Sequence, residues 1–184
     1  MTYRQELREM AAVSHGVVTL AEAEDAGIPA VELRKLAARG ALRAFGNGVY
    51  THRDIQATSF TKPMIAVALA GRDAFLHRES VFKLLELLPV DVPKIQVGTS
   101  RRVRRALPAW MELEYRTDLM DDEDDVDNIN DNLIFYRGVR STTVGRALAD
   151  VRRDMSTLQR LEVAELAIRN GYVTSQYSAN GPLL

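Results

Sequence analysis

Apolar side chains in the first helix-like stretch fall at Tyr3, Leu7, Met10 and Ala11, a spacing that lays one stripe along a helix. Gly16, just after His15, supplies a left-handed stop for that helix, and Val17-Val18 reads as a short extended step. Thr19-Leu20-Ala21-Glu22 has the capping-box pattern, in which the hydroxyl and the carboxylate each satisfy an orphan amide. A helix therefore opens at Leu20 and runs to Ala26 before Gly27. Ile28-Pro29 makes a turn into a third helix over Ala30–Arg39, with Pro29 suited to its first position. At about 100° per residue, Ala30, Leu33, Leu36 and Ala37 share one side of this helix, while Val31, Arg34, Lys35, Ala38 and Arg39 face or flank the other. Gly40 closes it. Leu42-Arg43-Ala44 and Val49-Tyr50-Thr51 then bracket Phe45-Gly46-Asn47-Gly48, a glycine-rich hairpin. Helix, strand, helix, tight turn, helix, hairpin is the element order of a winged helix-turn-helix, and it assigns residues 1–55 to such a domain.

The pattern changes after Thr51. His52–Phe60 is polar and reads as a linker into a second domain, residues 61–184. There the spacing predicts a helix over Thr61–Ala70 closed by Gly71 and another over Arg78–Leu88 closed by Pro89. Lys94–Gly98, Met111–Arg116 and Leu133–Arg137 alternate as strands and carry β-branched or aromatic residues. Thr143 caps a helix through Val151, and Ser156-Thr157-Leu158-Gln159 is a second capping box, opening a long helix to Asn170 ahead of Gly171. Ser178–Leu184 looks loose. The fold class is α+β, a winged helix-turn-helix followed by a mixed α/β C-terminal domain.

Composition adds exclusions. At 46% hydrophobic and 27% charged, the 184 residues can build a core. The longest apolar run, Met64–Ala70, is far short of a membrane span, and Met1-Thr-Tyr-Arg-Gln-Glu reads as a polar helix start, not a secretory leader. With no cysteine, disulfides and thiolate metal sites are excluded and a reducing, cytoplasmic setting is expected. The three histidines, at positions 15, 52 and 77, do not make a zinc motif. The net charge of −1 divides unevenly: residues 116–136 carry one basic and eight acidic side chains, while 61–115 carry nine basic and six acidic. One acidic block thus masks basic segments, and net charge does not exclude a polyanionic partner.

A winged helix-turn-helix lays its second helix in the major groove of duplex DNA. Arg34, Lys35 and Arg39 supply charge for that contact, and Val31 and Ala38 suit thymine methyl groups. Arg43 and Asn47 in the wing are placed for backbone contacts, and Thr19, at a helix N-terminus, for donation to a phosphate. Exposed cations on a helix are as a rule merely solvated, and small winged domains also serve as protein-interaction modules. The assembly favours DNA. Only Glu32 interrupts the basic face.

The run Arg101, Arg102, Arg104 and Arg105 admits three readings: a phosphate-binding loop that extends the DNA footprint, a docking surface for an acidic or nucleic-acid-bearing partner, or an internal partner for the acidic run Asp121-Asp122-Glu123-Asp124-Asp125 with Asp127 and Asp131. The acidic segment 121–131 itself reads first as a solvated loop, since it lacks the central glycine and terminal glutamate of a calcium-binding EF-hand. Catalytic motifs are missing: there is no phosphate-binding glycine loop, nucleophile elbow or HExxH. Asp91, Glu112 and Glu114 lie near strands as a nuclease would need, but no lysine follows at the right place; His77 and Trp110 read as core or cap residues. No catalytic residue, metal or cofactor is expected.

Several of these segments resemble the AbiEi antitoxins of abortive-infection, type IV toxin–antitoxin systems. Gly16-Val-Val-Thr19, Ala26-Gly27-Ile28, Gly40-Ala-Leu42-Arg43 and Gly48-Val-Tyr50 are similar to their N-terminal winged helix. Leu76-His77-Arg78-Glu79-Ser80, the segment ending at Arg105, Thr142-Thr143-Val-Gly-Arg146-Ala-Leu-Ala-Asp150 and Gly171-Tyr-Val173 follow the pattern of the second half. The resemblance implies a bicistronic antitoxin that represses its own promoter at inverted repeats and neutralises a nucleotidyltransferase toxin, with or without direct contact. The family's basic surface maps onto Arg34, Lys35, Arg39, Arg43 and Arg101–Arg105. The acidic block departs from the family pattern. The alternative is a stand-alone winged-helix regulator with no toxin partner.

Overall fold

A computed structural model describes residues 2–87, 92–119 and 131–173. The chain is mixed α+β, and it divides into two compact units, residues 1–72 and 73–184.

The first unit runs α1 (Tyr3–Val13), β1 (Val17–Thr19), α2 (Leu20–Asp25), α3 (Ala30–Ala38), β2 (Leu42–Gly46), β3 (Val49–His52) and α4 (Thr61–Ala70). Its three strands form an antiparallel sheet in the order β1-β3-β2. Helices α1 to α3 and two of the strands give one or two residues each to a common core: Leu7 and Ala11 from α1, Val18 from β1, Ala23 from α2, Leu33 from α3 and Leu42 from β2, with Ile28 from the turn. The local signals hold. The Thr19/Glu22 capping box forms in both directions, and Thr2 is an additional cap that accepts from the Gln5 amide at the start of α1. Pro29 is the N-cap of α3, one position ahead of the expected one.

The wing is β2, the two-residue turn Asn47-Gly48 and β3. Asn47 (φ 53°) and Gly48 (φ 73°) both lie in the left-handed region, as a two-residue hairpin turn of this hand demands. Phe45 is an extra residue against β3, since Ala44 pairs with Tyr50 and Gly46 with Val49. Gly48 also meets α2. Its carbonyl accepts from the Leu20 amide at 2.6 Å, and a Cβ there would stand 2.8 Å from Leu20 Cβ. Gly46 (φ 95°) has nothing within 4 Å of its would-be Cβ. Gly46→Ala should thus cost about 1 kcal/mol of backbone strain alone, and Gly48→Ala about 2 kcal/mol or more because strain and collision add. Thermal melts of the two variants check this; equal losses would mean that the wing tip does not rest on α2.

Two expectations about the boundary change. Residues 52–60 are not a free linker: His52 is buried, with its Nδ1 accepting from the Asp54 amide at 3.2 Å, and Ile55 packs against the core. Helix α4, expected in the second domain, belongs to the first unit. Thr61 Oγ1 donates to the His15 carbonyl at 2.6 Å, and the Phe60 ring stacks on His15 at 4.9 Å.

The second unit holds a five-stranded mixed sheet in the order β6-β5-β4-β8-β7, from β4 (Phe75–Leu76), β5 (Ile95–Thr99), β6 (Met111–Tyr115), β7 (Leu133–Tyr136) and β8 (Val139–Thr142). β5 runs parallel to β6 and β4 parallel to β8; the other neighbours are antiparallel. Helices α5 (Glu79–Leu84), α6 (Val144–Asp150) and α7 (Thr157–Arg169) complete it. Three expected strands, the Thr143 cap and the Ser156 capping box are present. The helix expected over Arg78–Leu88 is shorter, and β4 and β8 are additions. The loose tail at Ser178–Leu184 lies outside the described residues. Among those described, no helix is long and apolar enough to cross a membrane.

Candidate nucleic-acid interface

Helix α3 turns Leu33 into the core and half-buries Leu36 and Ala37. Val31, Arg34, Lys35, Ala38 and Arg39 are all exposed, as the helical spacing required. At about 100° per residue, the outermost line of the helix runs through Val31, Lys35 and Ala38. Arg34 flanks this ridge on one side and Arg39 on the other. Val31 is 44% exposed, a large apolar side chain left on a cationic face. Lys35 Nζ holds Glu32 Oε1 at 2.8 Å, so the one carboxylate on this surface is neutralised within the helix. A surface pair of this kind is worth less than about 1 kcal/mol and yields readily to a phosphate or base.

The wing adds Arg43 and Asn47, both exposed. The Arg43 guanidinium lies 5.1 Å from the centre of the Phe45 ring, which stiffens the side chain without consuming its donors. Thr19 is placed differently from the expectation. Its hydroxyl donates to Glu22 Oε2 at 2.7 Å and accepts from the Glu22 amide at 3.2 Å, so the cap consumes the proton a phosphate contact would use. Val31, Arg34, Lys35, Ala38 and Arg39 thus share one helix surface, Arg43 and Asn47 share the wing, and Thr19 is a structural cap.

In the second unit the run after β5 is exposed at Arg101, Arg102, Arg104 and Arg105. Arg101 pairs with Asp73, and the Thr99 hydroxyl accepts from its amide at 3.2 Å, which anchors the start of the loop. Arg102, Arg104 and Arg105 have no ion pair to any described residue. The observed internal partner is therefore Asp73; the acidic run 121–125 and Asp127 lie outside the described residues. So does Asp91 of the nuclease reading, while Glu112 and Glu114 stand on β6. Among the described residues no three His, Cys, Asp or Glu side chains are grouped to hold a metal ion.

One constellation escaped the residue-by-residue reading. Arg116, 8% exposed, donates from Nε and Nη2 to the two Asp118 oxygens at 2.9 Å each. It also donates from Nη1 and Nη2 to Asp150 at 2.9 and 3.2 Å, and from Nη1 to His77 Nδ1 at 3.2 Å. Arg146 closes the ring through Asp150 (3.0 Å) and Asp118. Arg78 holds Asp154 at 2.7 Å beside it. The Asp118 hydrogen bond, set against burial, and then that of Asp150 push the Arg116 pKa up. The same guanidinium holds the Asp118 carboxyl well below the carboxylate range. Burial first, and then the charge of Arg116, depress His77 from 6.5 to about 4. All charges are paired, so the arrangement ties segments together and offers no free acid or base. Its members sit at 77, 116–118 and 146–150, too far apart in sequence for a local signal to join them.

No curated protein matches the chain. The family model that does match is described as a transcriptional regulator, AbiEi antitoxin; it covers residues 5–51, from α1 through the wing, and leaves the second unit outside. Over those residues the chain is similar to the AbiEi antitoxin transcriptional regulators.

Proposed function

We propose that the chain is a non-enzymatic, cytoplasmic repressor that binds inverted repeats in its own promoter through α3 and the wing, and that its second unit neutralises a nucleotidyltransferase toxin. The carrying observation is the outward face of α3, where Val31, Lys35 and Ala38 form a ridge between Arg34 and Arg39. Such a ridge suits base edges in the major groove and its flanks suit the phosphates on either side. Arg43 and Asn47 position the wing on the backbone. Arg102, Arg104 and Arg105, exposed and unpaired among the described residues, supply further phosphate contacts.

A salt-titrated gel shift on the chain's own upstream DNA tests the repressor half. Wild type should bind site-selectively, and Lys35→Glu/Arg39→Glu should lose that binding. In the same titration, each phosphate contact removed by Arg102→Gln, Arg104→Gln or Arg105→Gln should flatten the log–log salt slope by about one unit. Binding no tighter than to random DNA would end the repressor reading. For the antitoxin half, the measurement is growth of cells co-expressing a neighbouring nucleotidyltransferase with and without this chain. The family match stops at residue 51, which favours as a second reading a stand-alone regulator without a toxin. Site-selective binding without rescue of growth would select it.

A further inference from the structure

Resting on the DNA-binding reading, the geometry of α3 points to the composition of the half-site: we propose that Val31 and Ala38 each pack on a thymine methyl group, two methyls about three base pairs apart. Val31 and Ala38 are seven residues apart and on the same outward line. At 1.5 Å per residue they stand about 10 Å apart along the axis, which spans about three base steps of 3.4 Å. The major groove presents one apolar group for such side chains, the C5-methyl of thymine. Lys35 lies between them, and its three donors let it keep Glu32 and still reach an acceptor on an intervening base.

The alternatives for these two residues do not fit their setting. Val31 is left out of the core by the same helix phase that buries Leu33 and stays 44% exposed in the free unit. Arg34 and Arg39 bracket the ridge, so an apolar protein partner seated on Val31 and Ala38 would bury both guanidinium groups without visible acceptors. A nucleic-acid groove supplies those acceptors along both walls.

The test replaces each thymine of the protected half-site, one at a time, by deoxyuridine, which removes the C5-methyl and nothing else. Wild type should lose affinity about fourfold at each of two positions about three base pairs apart, the loss expected for one buried methyl-sized group. Val31→Ala and the isosteric Val31→Thr, both at an exposed site, should bind the natural operator more weakly. Val31→Ala should also show a smaller deoxyuridine penalty at one of the two positions while keeping the full penalty at the other. Uniform tolerance of deoxyuridine by wild type, or an unchanged penalty at both positions in Val31→Ala, overturns the proposal while leaving DNA binding intact. Failure of wild type to select its operator at all overturns the DNA-binding reading, and this one with it.

Discussion

Replacing Arg116 by alanine should cost the second unit about 3 kcal/mol of stability, the lower part of the range for breaking a buried ion pair. Asp150 sets the magnitude. Its carboxylate is 12% exposed and would keep only Arg146, itself more accessible, after losing two hydrogen bonds from Arg116. Asp118 matters less, because half its side chain already meets water. Removing the charge at both ends should recover most of the loss, since a buried pair replaced by well-packed apolar groups is often neutral. Arg116→Met/Asp150→Leu is therefore expected to be more stable than Arg116→Ala. Trp110 is the chain's single tryptophan and lies in the second unit, so its fluorescence in a urea titration reports on that unit. Equal midpoints for wild type and Arg116→Ala would show that the cluster contributes nothing.

Acid should weaken the same unit well above the range in which Asp118 takes up a proton. His77 is neutral in the fold because burial and the neighbouring Arg116 charge depress it from 6.5 to about 4. Guanidinium groups cannot accept, so Nδ1 must accept from Arg116 and has no room for a proton of its own. The unfolded chain binds that proton near pH 6.5, while the folded chain does so only near pH 4. Its contribution is therefore complete above about pH 6.5 and is lost as pH falls towards 4. Between pH 7.5 and pH 5 this amounts to about 2 kcal/mol, or roughly 1 M in the urea midpoint. His77→Gln should flatten the dependence in that window. Asp118, held down by Arg116, adds its own loss only below the ordinary carboxylate value of 3.8. A wild-type midpoint that stays level from pH 7.5 to pH 5 would sink this account.

The first unit was legible because its instructions are local. The Thr19 capping box and the phase of α3 each act over a few residues and appear as read, while the hairpin turn read over Phe45–Gly48 narrows to Asn47-Gly48 because β2 continues through Gly46. The same locality hid what Thr19 is committed to: the pattern that starts α2 also occupies the hydroxyl offered to DNA. Composition alone suggested a linker at 52–60, whereas tertiary contacts decided the matter, with His52 buried and Thr61 bonded to His15. In the second unit β4 is two residues long, and it is a strand only because Val97 and Ser141 pair with Leu76 on either side. No periodicity can be read from two residues. Gly98, which would ordinarily weaken a strand, is required because the Phe75 ring covers it, leaving 2.4 Å to a would-be Cβ. The Arg116 cluster is the extreme case, assembled from three separate segments.

That cluster also sets an order in time. Residues 1–72 contain their own buried core and are synthesised first, while the second unit cannot close its ring of charges until Asp150 has been added. At the pace of translation that interval is on the order of ten seconds, and the long sequence separations within the cluster slow its closure further. During synthesis the winged domain is thus exposed as a finished surface while the rest of the chain is still being made. A ribosome stalled shortly before Asp150 would therefore hold a folded first unit ahead of an unfinished second one.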